Sequence, residues 1–208
     1  MKVLVLNGSP KGDYSVTLQT VHYLQKKFPE DSFEILHVGQ KIKSLTKDFT
    51  PARDAIQKAD VLLFSYPVYT FIAPCQLHKF IELLKVEQMD LSEKYATQIT
   101  TSKHFYDITA HRYIQDNCAD LGLHYIRGLS ADMDDLLNEK GQKEANDFFE
   151  HLCWSIANDY YEEPSTSRST FTKNPVTVPV CETEKQGDVV ILTDCEEDNT
   201  QLAAMIAR

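Results

Sequence analysis

KVLVLNGSPKGDYSVTLQTV, residues 2–21, decides the fold. Lys2–Asn7 is a short run of valines and leucines in which apolar and polar residues do not alternate. A strand buried on both faces reads that way. Gly8-Ser9-Pro10 halts it, and Thr17–Lys27 then sets Leu18, Val21 and Leu24 on one helical face. A strand, a turn and a helix in so short a span form the opening of a parallel β-α unit.

The same grammar continues outward. SFEILHV (32–38) reads as a second strand, followed by a polar stretch and a helix from Pro51 through Ala59. VLLFS (61–65) is a third strand, halted by Tyr66-Pro67. Residues 75–86 carry Leu77, Phe80, Ile81 and Leu84 at helical spacing. A fourth strand is expected over 94–102, a helix over about 107–121 and a fifth strand over 123–130. Residues 133–163 read as one long amphipathic helix broken near Gly141. Strands alternating with helix-length crossovers imply an α/β fold. The predicted architecture is a flavodoxin-like three-layer sandwich with a central five-stranded parallel sheet, plus a C-terminal extension. The sandwich is expected to occupy 1–163. Residues 164–187, with three prolines and many Ser and Thr, read as a linker or extended arm. Residues 188–208 read as an added β-α unit that either joins a neighbouring sheet or begins a further segment of a longer chain.

The 208 residues carry 21 Lys and Arg against 31 Asp and Glu, a net charge of −10. That balance argues against a general nucleic-acid binder, because neutralising phosphates takes a basic face. Apolar runs such as 61–65 are too short to cross a bilayer, and MKVLVLNGSP lacks the apolar stretch and cleavage site of a signal peptide. No membrane partner is expected. The cysteines Cys75, Cys118, Cys153, Cys181 and Cys195 are odd in number and form no C-x-x-C pair. They read as free thiols in a reducing compartment, the cytoplasm. The histidines lack metal-ligand spacing, so no protein-held metal is expected.

Two loops carry chemistry. After the first strand, Ser9, Lys11, Ser15 and Thr17 lead into a helix N-terminus. There the free N–H groups, the positive dipole end and small hydroxyls suit a phosphate. Gly8 and Gly12 allow close backbone approach. The spacing matches neither a G-K-[ST] phosphate loop nor G-x-G-x-x-G. A plain β-α loop with a hydroxyl cap is the competing reading. The second loop, SYPVYTFIAP (65–74), joins three aromatics to two prolines at the same sheet edge. It suits a flat, partly apolar ring, or else covers the sheet end.

LNGSPKGDYSVTLQTV resembles the N-terminal signature of the NAD(P)H-dependent FMN reductases, and SYPVYTFIAPCQLHKFIELL resembles that family's second loop. The nearest flavour is the branch grouped with iron–sulfur flavoproteins, and the likeness spans about residues 1–160. It implies a bound FMN and two-electron transfer from NADH or NADPH to a small-molecule acceptor: a quinone, a free flavin or a metal centre. It also implies a homodimer or tetramer. By this resemblance Ser9, Lys11, Ser15, Val16 and Thr17 fall on the FMN phosphate loop. Pro67, Val68, Tyr69 and Thr70 fall beside the flavin ring. Thr101 and Ser102 fall on a third loop, with His104 placed to stack. The sequence departs from the pattern at Val16, where Asn is usual, at acidic Asp13, and in a third loop without glycine whose His104, Phe105 and Tyr106 are bulky. A flavodoxin-like electron carrier and a domain that binds no flavin are the alternative readings. The flavin supplies the hydride chemistry itself, so no side-chain acid or base is assigned.

Overall fold

Leu4 and Leu6 point to one side of β1 (Lys2–Asn7) and Val3 and Val5 to the other, and all four are buried. This double burial follows from the position of β1 inside a parallel sheet. The computed structural model describes residues 1–104 and 107–163. The linker and added β-α unit expected over 164–208, and Phe105 and Tyr106, lie outside the described residues. After β1 come α1 (Val16–Lys27), β2 (Ser32–Leu36), α2 (Val38–Leu45), α3 (Thr50–Lys58), β3 (Val61–Pro67) and α4 (Cys75–Val86). β4 (Tyr95–Thr101), α5 (Ile108–Asp120), β5 (His124–Tyr125), β6 (Leu129–Ala131) and α6 (Glu139–Ala157) complete the described part.

The sheet order is β2-β1-β3-β4-β5, with β6 also paired to β4, and every pairing is parallel. This is the flavodoxin-like order, and the chain reverses direction across the sheet between β1 and β3. Leu4, Leu6, Leu62 and Phe64 face a core closed by α2, α3, α4 and α5 through Val38, Ile56, Leu77, Phe80 and Ile114. Val3, Val5, Val61 and Leu63 face a second core closed by Leu18, Val21 and Leu24 of α1 and Phe149 and Leu152 of α6. Each fully buried aliphatic contributes roughly 1.5–3 kcal/mol. The sheet faces therefore hold the helices in place more than helix propensity does.

The structure corrects the sequence reading at four places. The first is β3, which does not halt at Ser65 but runs on through Tyr66 and Pro67 in register with β4. The second strand stops at Leu36, and Val38, expected to close it, opens α2 inside the supposed polar stretch. Only Val38, Ile42 and Leu45 form its apolar stripe. The helix is held tightly, because a Cβ on Gly39 would sit 2.3 Å from the Ser9 carbonyl oxygen.

The fifth strand is two segments. Tyr95 pairs with His124 and Ala96 with Tyr125, whereas Ile99 pairs with Leu129 and Thr101 with Ala131. The offset grows from 29 to 30 (124 − 95, then 129 − 99), so one extra residue bulges out between the segments. Gly128 lies in that bulge, where a Cβ would meet the Gln98 carbonyl oxygen at 2.3 Å.

The long final helix starts later and ends earlier than expected, and it does not break at Gly141. Asn138 caps it by accepting from Gly141 N–H at 2.8 Å, and α6 then runs unbroken to Ala157.

Gln98 ties these parts together from the middle of β4. It is fully buried. Its Oε1 accepts from Tyr66 Oη at 2.6 Å, and its Nε2 donates to the His111 carbonyl at 3.1 Å and to Tyr125 Oη. Replacing Gln98 with Leu leaves the buried Tyr125 Oη without this partner, while Tyr66 Oη keeps the Ala110 carbonyl at 3.2 Å. Gln98→Leu is expected to cost about 2–3 kcal/mol of stability in chemical denaturation.

Candidate functional site

One asparagine shapes the loop between β1 and α1. Asn7 ends the strand with its side chain fully buried. Its Nδ2 donates to the Gly12 carbonyl at 3.0 Å and lies 3.2 Å from His37 Nδ1, while its Oδ1 accepts from Ser9 N–H at 3.1 Å. The loop is thereby drawn into a closed ring beside β3, where Gly8 N–H donates to the Ser65 carbonyl at 2.8 Å. Gly12 turns with φ +58° beneath the Gln40 side chain. Asp13, the acidic departure in the sequence, is aimed at His37, with Oδ1 3.2 Å from Nε2.

The ring delivers Ser15 to the N-cap position of α1. An N-cap hydroxyl ordinarily accepts from the first-turn N–H groups. Ser15 makes no such bond. Its Oγ and the Oγ1 of Thr17 are buried without a hydrogen-bond partner, as is Ser65 Oγ on β3. A buried unsatisfied hydroxyl costs about 1–3 kcal/mol, so its presence calls for an explanation. No acidic residue occupies the first turn of α1. The head of this helix thus gathers unpaired donors and a positive dipole end, the chemistry that holds an anion.

The loop after β3 is stiff and strained. Tyr66, one of the three aromatics assigned to it from sequence, is a core residue whose hydroxyl is taken by Gln98. Val68 N–H donates to the Thr101 carbonyl at 3.0 Å. Tyr69 and Ile72 exchange backbone hydrogen bonds of 2.9 and 3.2 Å, which closes a two-residue hairpin. Its central residues, Thr70 and Phe71, have φ of +48° and +74°. Glycine and asparagine normally fill such positions. Each L side chain held there costs roughly 1–2 kcal/mol. The Tyr69–Ile72 hydrogen bonds hold Thr70 and Phe71 at the edge of a cleft despite that strain.

The cleft has a volume of about 440 Å³, within the range of small-molecule sites. Ten of the twelve residues expected from sequence line it: Ser9, Lys11, Ser15, Val16, Pro67, Val68, Tyr69, Thr70, Thr101 and Ser102. Thr17 is fully buried behind them, and its hydroxyl is one of the unpartnered ones. His104 does not line the cleft; its ring turns to Asp135, with Nε2 3.2 Å from Oδ2. Phe71, one of the three aromatics of the second loop, also lines it, and Lys103, Asp132 and Met133 complete the lining without having been singled out. Asp132 and Met133 reach the cleft only because β6 runs beside the end of β4.

Beneath the third loop lies a buried polar cluster. Burial pushes the Asp107 carboxyl up, but hydrogen bonds from Ser130 and Ser102 and the nearby His111 outweigh it and hold the group below its usual range. Burial holds His111 below the usual histidine value, against the pull of Asp107.

Two outcomes follow from this geometry. Replacing Thr70 with Asn and Phe71 with Gly relaxes the hairpin and is expected to raise stability by about 1–2 kcal/mol, read as a higher thermal midpoint. For His111, the unfolded chain takes up a proton before the folded one does as pH falls below about 6.5. The stability that neutral His111 contributes is therefore lost on acidification. The thermal midpoint of His111→Gln relative to the parent chain is expected to rise as pH drops from 7 to 5.

Comparison with known proteins agrees with the geometry. The family model for NADPH-dependent FMN reductase matches residues 1–132. No curated protein matches the chain. Among solved structures, the apo form of an NADH:FMN oxidoreductase is similar with a TM-score of 0.62 at 19% identity, over 79% of this chain and 92% of that one. An NAD(P)H:quinone oxidoreductase from Methanothermobacter marburgensis gives 0.57 at 11% identity, over 78% of this chain and 98% of that one. An FMN-dependent NADH-azoreductase from Bacillus anthracis, in complex with FMN, gives 0.53 at 13% identity, over 76% and 99%. These likenesses establish the common fold, while the family match takes in all three loops around the cleft and ends at Asp132, itself a cleft residue. The chain belongs to the NADPH-dependent FMN reductase family, enzymes that use FMN and a reduced nicotinamide donor.

Proposed function

We propose that the cleft binds FMN with its phosphate at the head of α1, and that the protein reduces a small-molecule acceptor at the expense of NADH or NADPH. The observation that carries this reading is the pair of buried, unpartnered hydroxyls on Ser15 and Thr17. A phosphate accepts from Ser15, which lines the cleft, from the free N–H groups of the first turn, and from Lys11 at the rim, with the Thr17 hydroxyl buried directly behind them. The stiff segment Pro67–Thr70 offers one wall to a planar ring, and Thr101 and Ser102 offer another.

FMN supplies the two-electron chemistry when bound. The chain's own residues bind, orient and exclude water. The backbone from Pro67 to Thr70, tied to β4 through Val68 N–H, would bear on a bound flavin. Tyr69, Phe71 and Met133, each about half exposed, form an apolar mouth that receives the donor and then the acceptor. A quinone, a free flavin or a metal centre each suits an open mouth of this kind. Exposed apolar side chains outside the cleft lining, Tyr14 at 88% and Leu137 at 82% exposure, favour assembly into a homodimer or tetramer. The free thiols of Cys75, Cys118 and Cys153 among the described residues fit a cytoplasmic enzyme. No helix among the described residues is long and apolar enough to cross a membrane.

The purified protein is expected to show oxidised-flavin absorption and to release FMN on heating, identified by mass. Ser15→Ala combined with Thr17→Ala is expected to weaken FMN binding at least tenfold, about 1.4 kcal/mol, with the fold retained by circular dichroism. A colourless protein that also fails to bind added FMN overturns the reading. Catalytic oxidation of NAD(P)H with quinone, free flavin or ferric chelate then ranks the acceptors.

A further inference from the structure

Asp107 stands directly before α5, at the position where a carboxylate ordinarily caps the helix. It does not cap. Its side chain makes no bond to the first turn of α5, although the residue is only 7% exposed. Oδ2 instead accepts from Ser102 Oγ at 3.1 Å and from Ser130 Oγ. These hydroxyls belong to different strands. Ser102 follows β4, and Ser130 lies in β6, two residues before Asp132. Both strand ends form one wall of the cleft.

The clasp extends in each direction. Ser102 Oγ accepts from His104 N–H at 3.1 Å, and Ser102 N–H donates to the Ala131 carbonyl at 2.8 Å. His111, one turn along α5, places Nε2 2.9 Å from Thr100 Oγ1 and 3.6 Å from Asp107 Oδ2. Lys103 crosses to Asp132 at 3.3 Å on the outer side. One carboxylate therefore gathers β4, β6 and the head of α5. A Ser102 hydroxyl that gives its proton to Asp107 has only a lone pair left for the cleft.

We propose that Asp107 is a positioning residue for the cleft, fixing Ser102 and Ser130 so that the Thr101–Lys103 and Ala131–Met133 segments hold the wall against which the flavin lies. This rests on the FMN reading given above. A carboxylate accepts both serine protons at once, and an amide in its place brings an N–H₂ donor that competes with them. No other described group takes the proton of either hydroxyl.

The test uses the full chain and two readouts. FMN affinity is measured by flavin fluorescence titration, and amide exchange by mass spectrometry on the protein without FMN. Asp107→Asn is expected to weaken FMN at least tenfold. In the flavin-free protein it is expected to speed exchange in 102–104 and 130–133 while leaving β1 and α1 unchanged. Adding Asp107→Asn to the pair Ser102→Ala and Ser130→Ala is expected to cost nothing more, because the carboxylate acts through those hydroxyls. Asp107→Glu is expected to restore part of the affinity. An Asp107→Asn affinity within twofold of the parent, or effects that simply add, overturns the positioning role alone. A parent chain that binds no FMN overturns the flavin reading and the positioning role with it, whatever the exchange pattern.

Discussion

Parallel pairing sends every strand in the same direction, and the rest of the molecule follows from that constraint. β1, β3 and β4 all end at one edge, so the three loops that leave them share a single rim. The reversal of winding between β1 and β3 sends α1 to one face and α4 to the other. The loops thereby part, and a cleft opens between them. Two apolar cores clamp the sheet from both sides, and the strand ends are rigid for that reason. The rim can then carry features that stability alone disfavours: unpartnered hydroxyls at Ser15 and Thr17, and left-handed residues at Thr70 and Phe71.

Local signals account for what was readable in the chain. The β1 loop is legible because the apolar run Val3–Leu6, a Gly-Ser-Pro stop and a helical stripe lie side by side. The phosphate-suited residues fall at their junction. α4 is legible to the residue, since Leu77, Phe80, Ile81 and Leu84 state its period without ambiguity. α2 is not. Its eight residues hold three apolar ones among lysines, and those three pack on a core shared with α4, which lies far off in the sequence.

The remaining misreadings share a cause. Whether Tyr66 lies in a loop or a core depends on Gln98, thirty-two residues away. The bulge around Gly128 exists only relative to the register of β4. The clasp at Asp107 needs the end of β4, the middle of β6 and the head of α5 to meet, so no periodicity or motif announces it. Residues whose role is set by a distant partner leave no local signature, and most of the unread part of the cleft is of this kind.

The one-residue bulge between β5 and β6 also governs how the sheet ends. An uninterrupted terminal strand would present a regular row of backbone donors and acceptors to any extended chain in its surroundings. Here the row is broken after two residues, and beside the break Glu162 N–H already donates to the Tyr125 carbonyl at 2.8 Å. A foreign strand would find neither a long enough ladder nor a vacant first rung. The irregularity that brings Met133 to the cleft thus also discourages strand addition at this end of the described sheet.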